Sequence, residues 1–545
     1  MSLKLPQTGV HTDVAIIGGG PCGLMAALLL TRFGVRCTLF EKHRGVSFHP
    51  KAMGVTRRTG EIFRQLGLHK ELMSEDLHTD ELSIWSRGFT GEVLGRVPFV
   101  DNVSNYTPCR RIHCPQPHTE TVLRNAVDIE PLAEIHYDTR VDTINDSGSR
   151  VEVCFSNLNS GDTGILYASW LIAADGAESP VRQKLGIETE GPGDLGHFLN
   201  VYFRAPYGDH LHGRRALLYQ LIDEDFFELF VAINGSDLWL MHHYLEEGES
   251  PKDYDEERLH ETIAYASGLY DVPVEIFNVS PWVMSPKLAK QWRKGRVFLT
   301  GDAAARLSPS GGLGMNNGIQ SVHNLCWKLA SVVHGLADES LLETYEAERM
   351  AASRLTFEHG ESNAKEIFSI IGSAFDGDWT GVRKQIAGSR RNGSGLGLDL
   401  GTVYESKAVV PDGSDFSVQS DPANDYLPAA RPGHHAPHLE VLLDGKFASI
   451  LDLLGKGFVL LCGREGECWK KNAEALKDVF PEKLPMKVLI AGVDFIDQSG
   501  SFETLYGIEN DGAVLVRPDG FVAARWLDEK SHNLEAALNQ VLGKL

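Results

Sequence analysis

The apolar positions of this chain fall into runs of two kinds. Near the start, "DVAII" at 13–17 ends in glycines and is followed by the helical pattern "PCGLMAALLLTRF" at 21–33 and then by "RCTLFEK". A short apolar run, a helix and a second run predict a βαβ unit with parallel strands. Further strands are predicted at "RVEVCF" and "YASWLIAAD", between 150 and 174. From 198 to 245, "FLNVYFRA", "RALLYQLIDEDFFELFVAI" and "DLWLMHHYL" alternate apolar with polar and are broken by "GDHLHGRR" and "NGSD". That pattern predicts an antiparallel sheet. A last strand of this part, "RVFLT" at 296–300, runs through a glycine-rich stretch into "IQSVHNLCWKLASVVHGL". The helix is expected to begin near Asn316 or Asn317, and helical patterning continues to about 372. Residues 376–436, rich in Gly, Ser, Asp and Pro, read as a wrapping linker. An α/β pattern resumes from 437, with "GFVLLCG", a helix near 470–479, "MKVLIAGV" and "AVLVRPDGFVAARW".

At 545 residues the chain exceeds one ordinary core, so two or three domains are expected. A composition of 42% hydrophobic and 23% charged residues is that of a soluble globular enzyme. The net charge of −22, with no basic block, argues against nucleic acid as a partner. A polyanionic cofactor stays open, because a helix N-terminus holds phosphate without net positive charge. The eight cysteines show no C-x-x-C spacing and read as reduced thiols of a cytosolic protein. No apolar run approaches the ~18 residues of a membrane span, and the N-terminus lacks the pattern of a signal peptide. A cytoplasmic protein without membrane partners is therefore expected.

Chemistry concentrates in two glycine clusters. Gly18, Gly20 and Gly23 fit G-x-G-x-x-G between strand and helix, with Pro21 opening the helix. Gly18 permits the tight turn, Gly20 the approach of a pyrophosphate, and Gly23 close packing of helix on sheet. Glu41, with Lys42 and Arg44 close behind it, ends the second strand, where a carboxylate can accept both hydroxyls of an adenosine ribose. These features predict dinucleotide binding over a plain glycine turn, without separating NAD from FAD. The second cluster, "GDAAARLSPSGGLGMNNGIQ" at 301–320, places Asp302 at a strand end, and a loop through Pro309, Gly312, Leu313, Gly314, Met315 and Asn316 enters a helix. Such an acid can accept hydrogen bonds from a polyol, and the helix start offers free amides and positive dipole. A flavin has both a ribityl polyol and a ring that is anionic when reduced, whereas NAD has no polyol. The pair predicts FAD gripped at both ends; the alternative for Asp302 alone is a helix-capping aspartate.

These residues resemble the class A FAD-dependent aromatic hydroxylases, which include para-hydroxybenzoate hydroxylase, phenol hydroxylase and aromatic polyketide hydroxylases. "WLIAADGAESPVR" is similar to that family's D-G motif, with Asp175, Gly176, Ser179 and Arg182 in place. "RRIHCPQPHTETVL" resembles the segment whose glutamine, here Gln116, reaches the cofactor, and "TRVDTI" the strand whose Val141 touches adenine. The chain from "PGHHAPHLEV" onward resembles the thioredoxin-like C-terminal domain of larger members. The resemblance implies an α/β (α+β) fold: a Rossmann-like FAD-binding domain over 1–190 and 286–375, an inserted antiparallel substrate sheet over 191–285, a linker over 376–436 and a thioredoxin-like domain over 437–545.

It also implies the reaction. NADPH or NADH reduces the flavin, O2 adds at carbon 4a, and the hydroperoxide transfers OH to a phenolic, pyridinol or polyketide-type ring. The chemistry is flavin-centred, so no protein nucleophile is assigned, and a small aromatic substrate and a homodimer or higher homo-oligomer follow. Baeyer–Villiger insertion on the same scaffold, or a non-catalytic dinucleotide-binding scaffold, are the alternatives; the W-x-W-x-I-P segment of flavin halogenases is absent. The chain departs from the family at Ala305, Leu313, Ser321 and Lys51, and Met53 stands near the place of an acid in phenol hydroxylases, where it cannot act as a base. On "LWLMHHYL", His242 and His243 must face opposite sides of the sheet, and His242 or Tyr219 is a candidate for a phenolic oxygen, with Met53 nearby. Without C-x-x-C, Cys462 and Cys468 predict a structural role for the C-terminal part, as dimer support or otherwise.

Overall fold

The computed structural model describes residues 9–79, 81–99, 103–389, 393–415, 419–476, 479–531 and 533–544. Its central sheet runs Arg293–Lys294, Val297–Leu299, Thr163–Ala173, His11–Ile17, Cys37–Phe40, Ala133–His136, with Thr139–Asp146 and Val151–Asn157 joined through Thr163–Ala173. The middle strands are parallel and buried on both faces, which is why they read as unbroken apolar runs. Their register decides where the chemistry lies. Ala173 is level with Ile17 on one side and with Leu299 on the other. The turns after Ile17, Ala173 and Leu299 therefore leave the sheet together at its carboxyl edge, where open parallel sheets place ligands.

The helices Pro21–Arg32 and Gly314–Val333 pack against each other across this edge. Small residues set their spacing: a Cβ on Gly318 would lie 2.4 Å from Cys22 Sγ and 3.1 Å from Gly301 Cα. The helix Glu343–Phe375 continues the layer.

A second sheet has seven strands, in the order Glu275–Met284, Gly196–Arg204, Leu238–Leu245, Phe227–Ala232, Leu218–Ile222, Glu81–Ser86, Val93–Pro98. All neighbours are antiparallel except Leu218–Ile222 with Glu81–Ser86, so the sheet is mixed where an antiparallel one was expected. The run "RALLYQLIDEDFFELFVAI" contains two of these strands, turned at Asp223, whose N–H donates to Phe226 O. One face carries Leu199, Val201, Phe203, Tyr219, Trp239 and Met241 onto the helix Glu256–Ser267. The other carries Leu240, Val231 and Ile233 towards Met53 and Phe99.

The segment expected as linker contains two helices, Trp379–Gly388 and Leu396–Leu400. Val382 and Ile386, one helical turn apart, bury against Trp85 and Ile370, and this i, i+4 pair outweighs the glycine-rich composition around it. The C-terminal unit is built on a four-stranded sheet, Met486–Ile490, Phe458–Cys462, Ala513–Val516, Val522–Trp526, and the helix expected near 470–479 is Glu467–Glu474. All eight cysteines are free. Burial pushes the Cys468 thiol up to about 11, helped by Glu529, and burial raises Cys462 further, so neither supplies thiolate at neutral pH. Among the described residues no helix is long and apolar enough to cross a membrane.

Candidate active site

The first glycine turn is tight for reasons visible at each position. Gly18 has φ +104°, and a Cβ there would stand 2.2 Å from Ala174 O. A Cβ on Gly23 would stand 1.8 Å from Gly18 O. Gly20 differs: nothing lies within 4 Å of its missing side chain, and Pro21 starts the helix directly after it. The turn thus presents bare backbone and a helix N-terminus to open space. Glu41 is buried and braces the turn, with Oε2 accepting Gly19 N–H at 2.6 Å and Oε1 accepting His43 N–H at 2.8 Å. Each oxygen keeps a lone pair for a further donor. Lys42 is exposed beside it, while Arg44 pairs at the surface with Asp138 at 3.6 Å. Val141 sits half-buried on a strand joined to Glu41 through Thr139 N–H to Glu41 O.

Gln116 opens the helix Gln116–Asp128, with its N–H on Ala52 O and its Nε2 on Glu120 Oε1 at 2.7 Å. Asp175 holds its own turn, accepting Ser179 Oγ–H at 2.6 Å and Val181 N–H at 3.1 Å, and burial raises its pKa. Arg182 then donates to Ala303 O at 3.0 Å, fastening this turn to the second glycine cluster.

Asp302 is open to solvent yet crowded by protein, as a carboxylate on the floor of a cleft is. Desolvation raises its pKa, against the pull of Arg306 and Lys51. The clusters meet here: a Cβ on Gly301 would lie 2.9 Å from Cys22 Sγ, and burial with Asp302 nearby pushes the Cys22 thiol up to about 12. Gly312 has φ +67°, and neither Gly312 nor Gly314 has any atom within 4 Å of its missing side chain. Pro309 is exposed in the same loop and accepts Gly312 N–H. The helix begins at Gly314, two or three residues before the expected start near Asn316 or Asn317.

Two residues of this loop turn their side chains elsewhere. Leu313 is buried with Leu398 and Ala423, so its side chain is taken up by the core. Asn316 accepts Thr56 N–H at 2.9 Å and donates to Gly54 O at 2.9 Å and Gly312 O at 3.0 Å, tying the segment that carries Met53 to the helix start. Met315 packs half-buried against the main core.

The second sheet walls in the Met53 segment, which Asn316 ties to the helix start. His242 lies opposite Asn200 and Leu229 on the side of Leu240 and Met53, edge-on to Trp282 at 6.0 Å. Burial lowers its pKa to about 4, and His49 adds to the shift, so the imidazole is neutral at physiological pH. Its neighbour His243 faces the other way and hydrogen-bonds Glu228 at 2.5 Å. Asn200 and Trp282, joined by Trp282 Nε1–H to Asn200 Oδ1 at 2.5 Å, complete this wall. Only the pairing of Glu275–Met284 with Gly196–Arg204 brings them together, and that pairing has no local signature.

Tyr219 does not belong to the wall. It is 2% exposed on the opposite face, against Phe89 at 5.1 Å and Trp239 at 5.6 Å. The hairpin register Tyr219–Phe230 fixes that orientation. Its hydroxyl donates to Arg214 O at 2.8 Å and accepts Ala216 N–H at 3.0 Å. Tyr219→Phe is expected to cost about 1–3 kcal/mol of stability by leaving buried backbone groups unpaired, with turnover per folded molecule unchanged. Urea unfolding beside steady-state kinetics checks both halves.

Known proteins resemble this chain over nearly its whole length. Residues 11–359 match the FAD binding domain family, and residues 429–544 match the aromatic-ring hydroxylase C-terminal family. Tetracenomycin A2 monooxygenase-dioxygenase of Streptomyces glaucescens is 31% identical, over 98% of this chain and 97% of that protein. 4-Methyl-5-nitrocatechol 5-monooxygenase of a Burkholderia species is 32% identical, over 98% of this chain and 97% of that protein. Among solved structures, the flavin-dependent monooxygenase PieE with FAD and substrate superposes with a TM-score of 0.90 at 27% identity, over 99% of this chain and 100% of that one. Aklavinone-11 hydroxylase with FAD and aklavinone gives 0.85 at 29% identity, over 99% and 100%. The chain belongs to the FAD-dependent aromatic hydroxylases and is a flavoprotein monooxygenase.

Proposed function

We propose that one FAD lies across the carboxyl edge of the central sheet, with its adenosine ribose at Glu41, its pyrophosphate at Gly20, its ribityl chain at Asp302 and its ring end at Gly312–Gly314. One observation carries this placement: three turns leave the sheet at one level, and Gly20, Gly312 and Gly314 all face open space. The bound flavin supplies the redox and oxygen-transfer chemistry, with NADPH or NADH and O2 as co-substrates. The chain's own residues bind, orient and shield. The amides at the start of Gly314–Val333 favour negative charge on the ring. Apolar side chains of Leu240, Val231 and Met53 exclude water from the space between ring and sheet.

The substrate in this reading is a phenolic, pyridinol or polyketide-type aromatic lying between the flavin and the sheet wall. His242 is the group that meets its oxygen, because its neutral imidazole has no hydrogen bond of its own among the described residues. Anaerobic mixing of the holoenzyme with NADPH or NADH, across a panel of such aromatics, tests the assignment: a true substrate accelerates flavin reduction. With that substrate, His242→Phe should raise KM about tenfold and leave substrate-free flavin reduction unchanged. An unaltered KM would remove His242 from the site.

A further inference from the structure

Four charges without solvent contact meet where the C-terminal sheet lies against the helices that leave the cleft. Lys328 and Glu348 come from Gly314–Val333 and Glu343–Phe375, and Arg517 and Asp519 from the turn after Ala513–Val516; none exceeds 1% exposure. Arg517 grips Glu348 with both terminal nitrogens, at 2.6 and 2.9 Å, and donates from Nε to Asp519 Oδ1 at 3.0 Å. Lys328 Nζ donates to Glu348 Oε2 at 2.7 Å, and Asn324 Nδ2 reaches Glu348 Oε2 at 2.6 Å and Asp519 Oδ2 at 3.1 Å. Two cations and two carboxylates make the group neutral. Desolvation cancels most of the attraction in such a cluster, so its contribution is a single permitted geometry more than net stability.

That geometry leads back to the cleft by two routes. Arg58 Nη2 donates to Asp519 O at 2.5 Å, two residues after Thr56, whose N–H is held by Asn316. Arg349, itself buried, donates to Asn317 Oδ1 at 2.9 Å and Ser321 Oγ at 3.1 Å in the first turns of Gly314–Val333. It is held in turn by the hydroxyl of Tyr404 at 2.9 Å, and Tyr404 stacks on Phe521 with ring centroids 3.9 Å apart. Both routes start in or against the C-terminal unit; one ends at Arg58, two residues past Thr56, and the other on Asn317 and Ser321, beside the Asn316 that ties Gly54 and Thr56 to the helix start.

We infer that the Arg517–Asp519 turn and Tyr404 are positioning residues for the flavin ring, setting through Arg58 and Arg349 the spacing between the Met53–Thr56 segment and the start of the Gly314–Val333 helix. This rests on the flavin placement proposed above. It gives the C-terminal unit a task that needs no thiol: its side chains hold the floor of the cleft from behind.

Two variants test it in the purified holoenzyme. Tyr404→Phe removes one hydroxyl and keeps the stack, and Arg517→Lys keeps the charge and loses the two-pronged grip. Each is expected to raise the Kd for FAD about tenfold and to increase the hydrogen peroxide formed per NAD(P)H consumed in the presence of substrate. Arg64→Ala cuts the partly exposed Arg64–Asp452 pair, 2.6 Å, between the same two units, and should leave both readouts at wild-type values. Wild-type Kd and peroxide yield in Tyr404→Phe and Arg517→Lys, even with a lowered Tm, would show a merely structural cluster and overturn the inference. If Arg517→Lys does not fold, Tyr404→Phe decides alone. A wild-type chain that binds no FAD would refute the flavin placement instead.

Discussion

Gly20→Val and Gly314→Val should each give a folded protein of near wild-type Tm that no longer retains FAD. Both positions have ordinary access for a side chain, since a Cβ at either meets no protein atom within 4 Å. The strain that usually accompanies replacement of a loop glycine is therefore small, and the added side chain would enter the space proposed for the ligand. Gly23→Ala is the contrast: its Cβ would overlap Gly18 O at 1.8 Å, so this variant should fail to fold. Visible absorbance of the purified proteins, together with thermal unfolding, separates the two outcomes. A yellow Gly20→Val or Gly314→Val protein would show that the bare backbone there faces solvent and no ligand.

Replacing Asp302 should move the apo and holo proteins in opposite directions. Asp302→Ala is expected to weaken FAD binding about 10- to 100-fold, the range for losing a charge-assisted hydrogen bond. The apo variant should be more stable than the apo wild type, because desolvation raises the Asp302 pKa and its ionised form disfavours the folded chain. The sign with pH follows. A carboxyl whose folded pKa is raised binds its proton more readily when folded, so wild-type stability falls as pH rises through that raised value. The advantage of Asp302→Ala should accordingly be complete above the raised pKa and vanish as pH drops below the ordinary aspartate range. Apo-protein Tm against pH, for wild type and variant, measures it; a variant less stable at every pH would mean that Asp302 braces the turn.

The central fold was legible wherever a local rule decides it. Strand, glycine turn, helix and acid stand in fixed order around Gly18–Glu41, and the sheet buries apolar runs that no other element could hold. The meeting of the two glycine clusters was legible only as a demand for one long ligand; the register of Ala173 with both Ile17 and Leu299 supplies its geometric cause. Tyr219 shows where sequence falls short. Its strand alternates cleanly, but which face is turned away from the cleft is settled by the hairpin register with Phe230 and by the helix Glu256–Ser267 that covers that side of the whole sheet, and alternation cannot choose between faces. Leu313 and Asn316 fall short differently. Their backbone lies at the loop-to-helix junction, while contacts with Leu398 and with Gly54 and Thr56, distant in sequence, draw the side chains away. The charged cluster at Arg517 left no local trace either, since its members are separated by up to 191 residues.

One FAD spanning Glu41 and Asp302 is the claim on which the site, the substrate wall and the positioning cluster all depend. A crystal structure of the purified yellow protein measures it directly. Ribose hydroxyls within hydrogen-bonding distance of Glu41, and ribityl hydroxyls of the same molecule within that distance of Asp302, are the expected result. A flavin that leaves either carboxylate in a separate pocket would contradict it.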